Sequence, residues 1–163
     1  MIPRIGFGYD VHRSTAGEKI RLGGVDVPAP FSLEAHSDGD VLIHALIDAL
    51  LGAMGDGDIG THFPDDDPNY QNVPGTHLLQ KTLKRVEKNG YSFGNLDATI
   101  LAEEPKLKGY IPSMKKELAK ALDVSDETLS LKATTHEKLG PIGDSQGVAV
   151  HAVVLLFPSD ARV

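Results

Sequence analysis

Apolar and polar positions change period along the chain, and each change marks an element. Residues 2–9 predict a strand in which Gly6 and Gly8 permit close backbone approach. Residues 19–28 predict a small hairpin turning at Gly23 and Gly24. A polar loop over 35–40 precedes a nearly unbroken apolar run. That run predicts a helix over 41–53, with Asp38 or Asp40 to cap its start and Gly52 or Gly55 to end it. Residues 55–70 are rich in glycine, aspartate and proline and too polar for a core element. Over 76–89, Leu78, Leu79, Leu83 and Val86 share one helical face, and Gly90 supplies the stop.

The pattern then returns to period two. Phe93, Leu96, Ala98 and Ile100 alternate with polar neighbours and predict a strand over 92–102. A loop over 103–108 leads to a helix over 112–122 with Pro112 in its first turn. Residues 129–135 predict a strand and 136–146 are punctuated by glycine. The near-continuous apolar stretch 148–157 predicts a central, buried strand. Three main helices among several strands argue a two-layer α+β domain spanning 1–163, a mixed sheet with the helices on one face.

Composition narrows the chemistry. No apolar run approaches the ~20 residues that span a bilayer, and the longest, 41–54, is interrupted by His44 and Asp48. The N-terminus carries no leader pattern, which points to the cytoplasm. With no cysteine, disulfides, thiolate nucleophiles and Cys-ligated zinc are excluded, and the 7 histidines become the soft ligands. A net charge of −7 leaves no basic stripe for nucleic acid. A small anionic substrate would need local cations, most simply metal ions and a few lysines.

Five stretches carry candidate chemistry. Asp10 and His12 point to one side of a strand, with Val11 turned to the core, and Asp-x-His can begin a divalent metal site. His44 sits among apolar helix neighbours, so it is either a satisfied core histidine or a third ligand. Asp48, one turn later, could orient its ring. One carboxylate and two imidazoles would leave a zinc ion an open position. The loop holding His36, Ser37, Asp38 and Asp40 at a helix start suits a phosphate, or is simply a capping loop. The acidic stretch 57–67 lacks EF-hand spacing and reads as a solvated loop or a ligand clamp. Thr134, Thr135 and Glu137 follow a strand and could address phosphate oxygens and a hard metal, or cap a helix.

In order and spacing, these segments form a recognisable series: Gly-Tyr-Asp-Val-His-Arg (8–13), Ala-His-Ser-Asp-Gly-Asp-Val (35–41), His-Ala-Leu-Ile-Asp-Ala-Leu-Leu-Gly-Ala (44–53), Gly-Asp-Ile-Gly (57–60), Phe-Pro-Asp (63–65), Pro-Lys (105–106), Lys-Ala-Thr-Thr (132–135) and Glu-Lys-Leu-Gly (137–140). The series resembles the 2-C-methyl-D-erythritol 2,4-cyclodiphosphate synthase family of the non-mevalonate isoprenoid pathway, nearly end to end.

The resemblance implies an α+β homotrimer with active sites between subunits. It implies conversion of 4-diphosphocytidyl-2-C-methyl-D-erythritol 2-phosphate to the cyclic diphosphate and CMP, a phosphorus–oxygen lyase reaction. Zinc would sit on Asp10, His12 and His44, and Glu137 would help hold Mg2+ or Mn2+ between the phosphates. His36 and Thr135 would be the catalytic, transition-state-stabilising positions, and Ser37 would touch phosphate. Asp58, Ile59 and Gly60, with Phe63, Pro64, Asp65, Asp66 and Asp67, would surround the methylerythritol and its diphosphate. The cytidine pocket would run from Ala102 and Glu103 through Glu104 and Pro105 to Lys106, Leu107 and Lys108, joined by Thr134, with His136 beside Glu137. Where the family often carries an aromatic residue and an arginine near the threefold axis, this chain has Pro141 and Asp144. An anionic isoprenoid ligand on that axis is therefore not implied. Two other activities fit the bare residues: a zinc-dependent phosphoesterase, and a trimeric nucleotide-binding module without turnover.

Overall fold

β1 (Arg4–Thr15) pairs antiparallel with β7 (Gly147–Pro158), from Arg4 opposite Leu156 to Arg13 opposite Gly147. The computed structural model describes residues 1–161, so the last two positions of the expected span 1–163 lie outside the described residues. β5 (Tyr91–Leu101) lies antiparallel on the other side of β7, with a bulge between Phe93 and Asn95. β6 (Leu129–Thr134) adds parallel to β5. β4 (Ser32–Leu33), too short to leave a pattern in the sequence, pairs with the end of β1. The mixed sheet thus runs β4-β1-β7-β5-β6, and β2 (Lys19–Leu22) and β3 (Val25–Pro28) form the expected hairpin beside it.

The three long helices, α1 (Val41–Met54), α3 (Gly75–Lys88) and α4 (Ile111–Leu122), cover one sheet face. Short turns complete the chain: α2 (Ile59–His62) inside the polar stretch and α5 (Gly140–Gly143) before β7. α1 is apolar around most of its circumference because it is enclosed by β1 and β7 below and α3 above. Its seat on β1 depends on Gly6 and Gly8. A Cβ at either would fall on the carbonyl oxygen of Ala49 or Ala45, so only glycine lets the helix lie on the strand backbone.

Two expectations change here. The first strand continues past residue 9 to Thr15, because β7 pairs with it as far as Arg13 and β4 takes up Ser14 and Thr15. Val11 does not face the core: it is 47% exposed, with Ile5, Phe7 and Tyr9 on the uncovered face. Asp10 and His12 do share a side, but it is the side of Gly6 and Gly8, beneath α1. The core side of this strand is marked by glycines rather than by large apolar residues. The stretch 148–157 is central as expected, with Val148, Ala149 and Val150 all buried, but from residue 151 it is buried on one face only. His151, Val153 and Phe157 are exposed on the other, since no helix covers it. Among the described residues no helix is long and apolar enough to cross a membrane.

Candidate active site

The seat of α1 on β1 carries His44 to the two β1 side chains. Asp10 Oδ2 lies 2.7 Å from His12 Nε2 and 3.3 Å from His44 Nδ1, and the two histidine nitrogens are 3.2 Å apart. Asp10, His12 and His44 form the one group of three such side chains among the described residues that could hold a metal ion. Each ring is held from behind. His12 Nδ1–H donates to the Glu34 carbonyl at 2.8 Å, which aims Nε2 at the cluster. His44 Nε2 meets the Ser37 hydroxyl at 3.0 Å.

Burial pushes the Asp10 carboxyl up, but hydrogen bonds and charge from His12 and His44 outweigh it and hold the pKa at about 2. Burial lowers the His12 pKa, yet the hydrogen bond and charge of Asp10 leave it raised. One carboxylate oxygen and two oriented imidazole nitrogens are the donor set a divalent transition metal takes, with a coordination position to spare.

The loop before α1 is fixed by its acids. Asp40 is fully buried and accepts from Gly23 N–H (2.9 Å), Gly24 N–H (2.7 Å) and Ile43 N–H (3.1 Å), so it is the N-cap of α1 and also ties down the β2–β3 turn. Asp38 accepts from Gly75 N–H at the start of α3 (2.8 Å). Gly55 ends α1 in a left-handed conformation, as expected, while Gly52 lies inside the helix. Asp48 does not hold the His44 ring. Its Oδ1 accepts from Ile59 N–H at 2.7 Å and anchors α2, because Ser37 already occupies the far side of the imidazole.

A cavity of about 280 Å³ opens over the cluster. Asp10, His12, His36, Ser37 and His44 line it from below, and Ile59, Gly60, Phe63 and Asp65 from the polar stretch. Glu34, Ala35, Tyr70 and Leu78 also line it and carry no motif that would single them out. The stretch 57–67 is therefore partly anchored: Phe63 is buried and meets Tyr70 edge to face at 5.3 Å. Asp58 caps α2 through Thr61 N–H (2.8 Å), and Asp67 caps the turn at Asn69 (2.9 Å). Asp58, Pro64, Asp66 and Asp67 are not among the lining residues, although the Asp67 carbonyl lies 3.4 Å from His36 Nε2.

A second cavity, of about 760 Å³, lies between α4 and the β6 edge. Of the residues expected around a cytidine, Ala102, Glu103, Pro105, Lys106, Leu107, Lys108 and Thr134 line it, together with Thr135; Glu104 does not. Ile111, Pro112, Leu131, Lys132 and Ala133 complete the wall, which periodicity alone assigns to helix and strand. His136 N–H donates to Glu103 at 3.1 Å, bracing the 102–108 loop. The residues after Thr135 do not begin a helix. Glu137 and Lys138 adopt left-handed backbone conformations, and α5 starts only at Gly140. Glu137 stands exposed on this turn, away from the Asp10 cluster. The two cavities share no residue. In register, Asp10 opposes Val150, Val150 opposes Ile100 and Ile100 opposes Ala133, three strand spacings or about 14 Å apart.

With this geometry in hand, known proteins give a consistent comparison. A profile of the YgbB family matches residues 3–157. The 2-C-methyl-D-erythritol 2,4-cyclodiphosphate synthase of Ectopseudomonas mendocina is 54% identical over 153 residues, covering 94% of this chain and 98% of that one. The structure of the bifunctional IspDF from Campylobacter jejuni superposes with a TM-score of 0.92 at 40% identity. It covers 97% of this chain, which spans only 43% of that longer protein. A CDP complex of IspF from Plasmodium falciparum gives 0.84 at 33% identity, covering 96% of each chain. The match along nearly the whole sequence, together with the shared architecture, establishes that the chain belongs to the YgbB family.

Proposed function

We propose that this protein converts 4-diphosphocytidyl-2-C-methyl-D-erythritol 2-phosphate to 2-C-methyl-D-erythritol 2,4-cyclodiphosphate and CMP, a step of isoprenoid precursor biosynthesis catalysed by a phosphorus–oxygen lyase. The observation that carries the reading is the convergence of Asp10, His12 and His44 beneath a cavity edged by His36 and Ser37. In the reaction the substrate's 2-phosphate attacks the β-phosphorus and CMP leaves. A phosphate monoester with a second pKa of about 6 is already largely ionised at neutral pH. The protein therefore needs no strong base, and the work is positioning and charge stabilisation.

Asp10, His12 and His44 would hold Zn2+, and Glu137 with the diphosphate would hold Mg2+ or Mn2+. Such ions neutralise phosphate charge and polarise phosphoryl oxygens. His36 and Thr135 are read as the groups that stabilise the transferring phosphate, with Ser37 as a further donor. Ile59, Gly60, Phe63 and Asp65 enclose the methylerythritol end. The cavity at Ala102–Lys108 and Thr134 takes the cytidine, with Lys106 adding positive charge.

This arrangement favours a homotrimer with sites between subunits. One protomer holds the two halves of the site in separate cavities, and its uncovered sheet face exposes large apolar side chains along β1 and β7. The test is zinc analysis of the purified protein combined with mass-spectrometric detection of CMP and the cyclic product. Release of inorganic phosphate instead would identify a phosphoesterase, and CDP binding without turnover a nucleotide-binding module. Glu137→Ala is expected to raise the Mg2+ or Mn2+ concentration needed for half-maximal rate while leaving zinc content unchanged. An unaltered metal titration counts against the Glu137 assignment.

A further inference from the structure

Both histidines of the cluster lean on a single short segment. Glu34 offers a carbonyl to His12 Nδ1 and Ser37 offers a hydroxyl to His44 Nε2. His44 is 6% exposed, and the nitrogen that faces Asp10 and His12 is Nδ1. A neutral imidazole carries one proton. For Nδ1 to present a lone pair to an ion, that proton must sit on Nε2, where a buried N–H needs an acceptor. Ser37 Oγ, 3.0 Å from Nε2, is the polar atom placed to accept it.

We infer that Ser37 is a positioning residue of the metal site, holding His44 in the tautomer and orientation that let Nδ1 bind the ion. This rests on the metal reading of Asp10, His12 and His44, and it adds a role for Ser37 that does not depend on substrate. The geometry gives the hydroxyl two tasks at once. While Oγ accepts from His44, its own proton remains free for an acceptor in the cavity. A hydrogen-bond chain then runs from the ion through His44 and Ser37 to a bound phosphate. The loop that meets the substrate is the loop that sets the ligand.

The test uses the full chain without substrate. Zinc affinity is measured by chelator competition for wild type, Ser37→Ala and Ser37→Thr, with the visible spectrum of the Co2+-loaded forms as a geometric readout. Ser37→Ala is expected to weaken zinc binding about 10- to 100-fold, the usual range for loss of a ligand's hydrogen-bond partner. Ser37→Thr, which keeps the hydroxyl, is expected to restore most of that affinity and the wild-type Co2+ spectrum. Unchanged zinc affinity and Co2+ spectrum in Ser37→Ala would overturn the inference while leaving the metal site standing. So would a Thr variant as weak as the Ala variant. Failure of the wild type itself to bind zinc would remove the metal reading and this inference together.

Discussion

At Asp40 one buried carboxylate accepts three backbone N–H groups from two separate parts of the chain. Alanine there would leave all three donors unpaired in the interior and remove the cap of α1. Asp40→Ala is expected to cost on the order of 3 kcal/mol, read from the urea midpoint of the metal-free protein. His44 has a different burden. His44→Ala removes one of three donors, so zinc content and turnover are expected to fall together; normal activity in a zinc-depleted variant would break the assignment. In the sequence, strand alternation puts Asp10 and His12 on one side, but periodicity leaves His44 open between core histidine and ligand, and only the family resemblance joins the three. The ring partners leave no signature. A backbone carbonyl at Glu34 looks like any other, and Ser37 competes with Asp48, which helical spacing favours but which the fold turns toward Ile59.

Among the elements, β1 and α1 act as one unit because two glycines remove everything between them. Gly8→Ala would drive a methyl group into the Ala45 carbonyl and lift the helix that carries His44. A destabilisation of about 1–3 kcal/mol is expected by chemical denaturation, with zinc affinity reduced although no ligand has changed. Retained affinity at reduced stability would show that the ligands adjust independently of the helix seat. Periodicity located the three long helices and the principal strands, since each is long enough to display its repeat. It missed β4 and α2, which span only about one repeat each. It also turned β1 the wrong way round at Val11, because glycine on the buried side reads as weak and valine on the outer side as core.

For the molecule as a whole, the notable surface is the sheet face without helices. Ile5, Phe7, Tyr9, Val11, Val153 and Phe157 are exposed there, a set of large apolar side chains that water disfavours. The stretch 148–157 reads in the sequence as a buried strand, yet beyond Val150 the chain covers only one of its faces, and composition does not say what covers the other. Phe7 is already 59% exposed, so Phe7→Lys should fold normally while opposing assembly. If this face joins the proposed trimer, sedimentation is expected to show the variant as a monomer that binds zinc normally but forms little CMP; an assembled, active variant would count against an interface on this face. Tyr9 stands on this face with its ring 5.0 Å from that of His151, and the chain contains no tryptophan. Ultraviolet emission is therefore dominated by its 4 tyrosines, and a dilution series followed by fluorescence tests without a label whether copies of the chain meet and part.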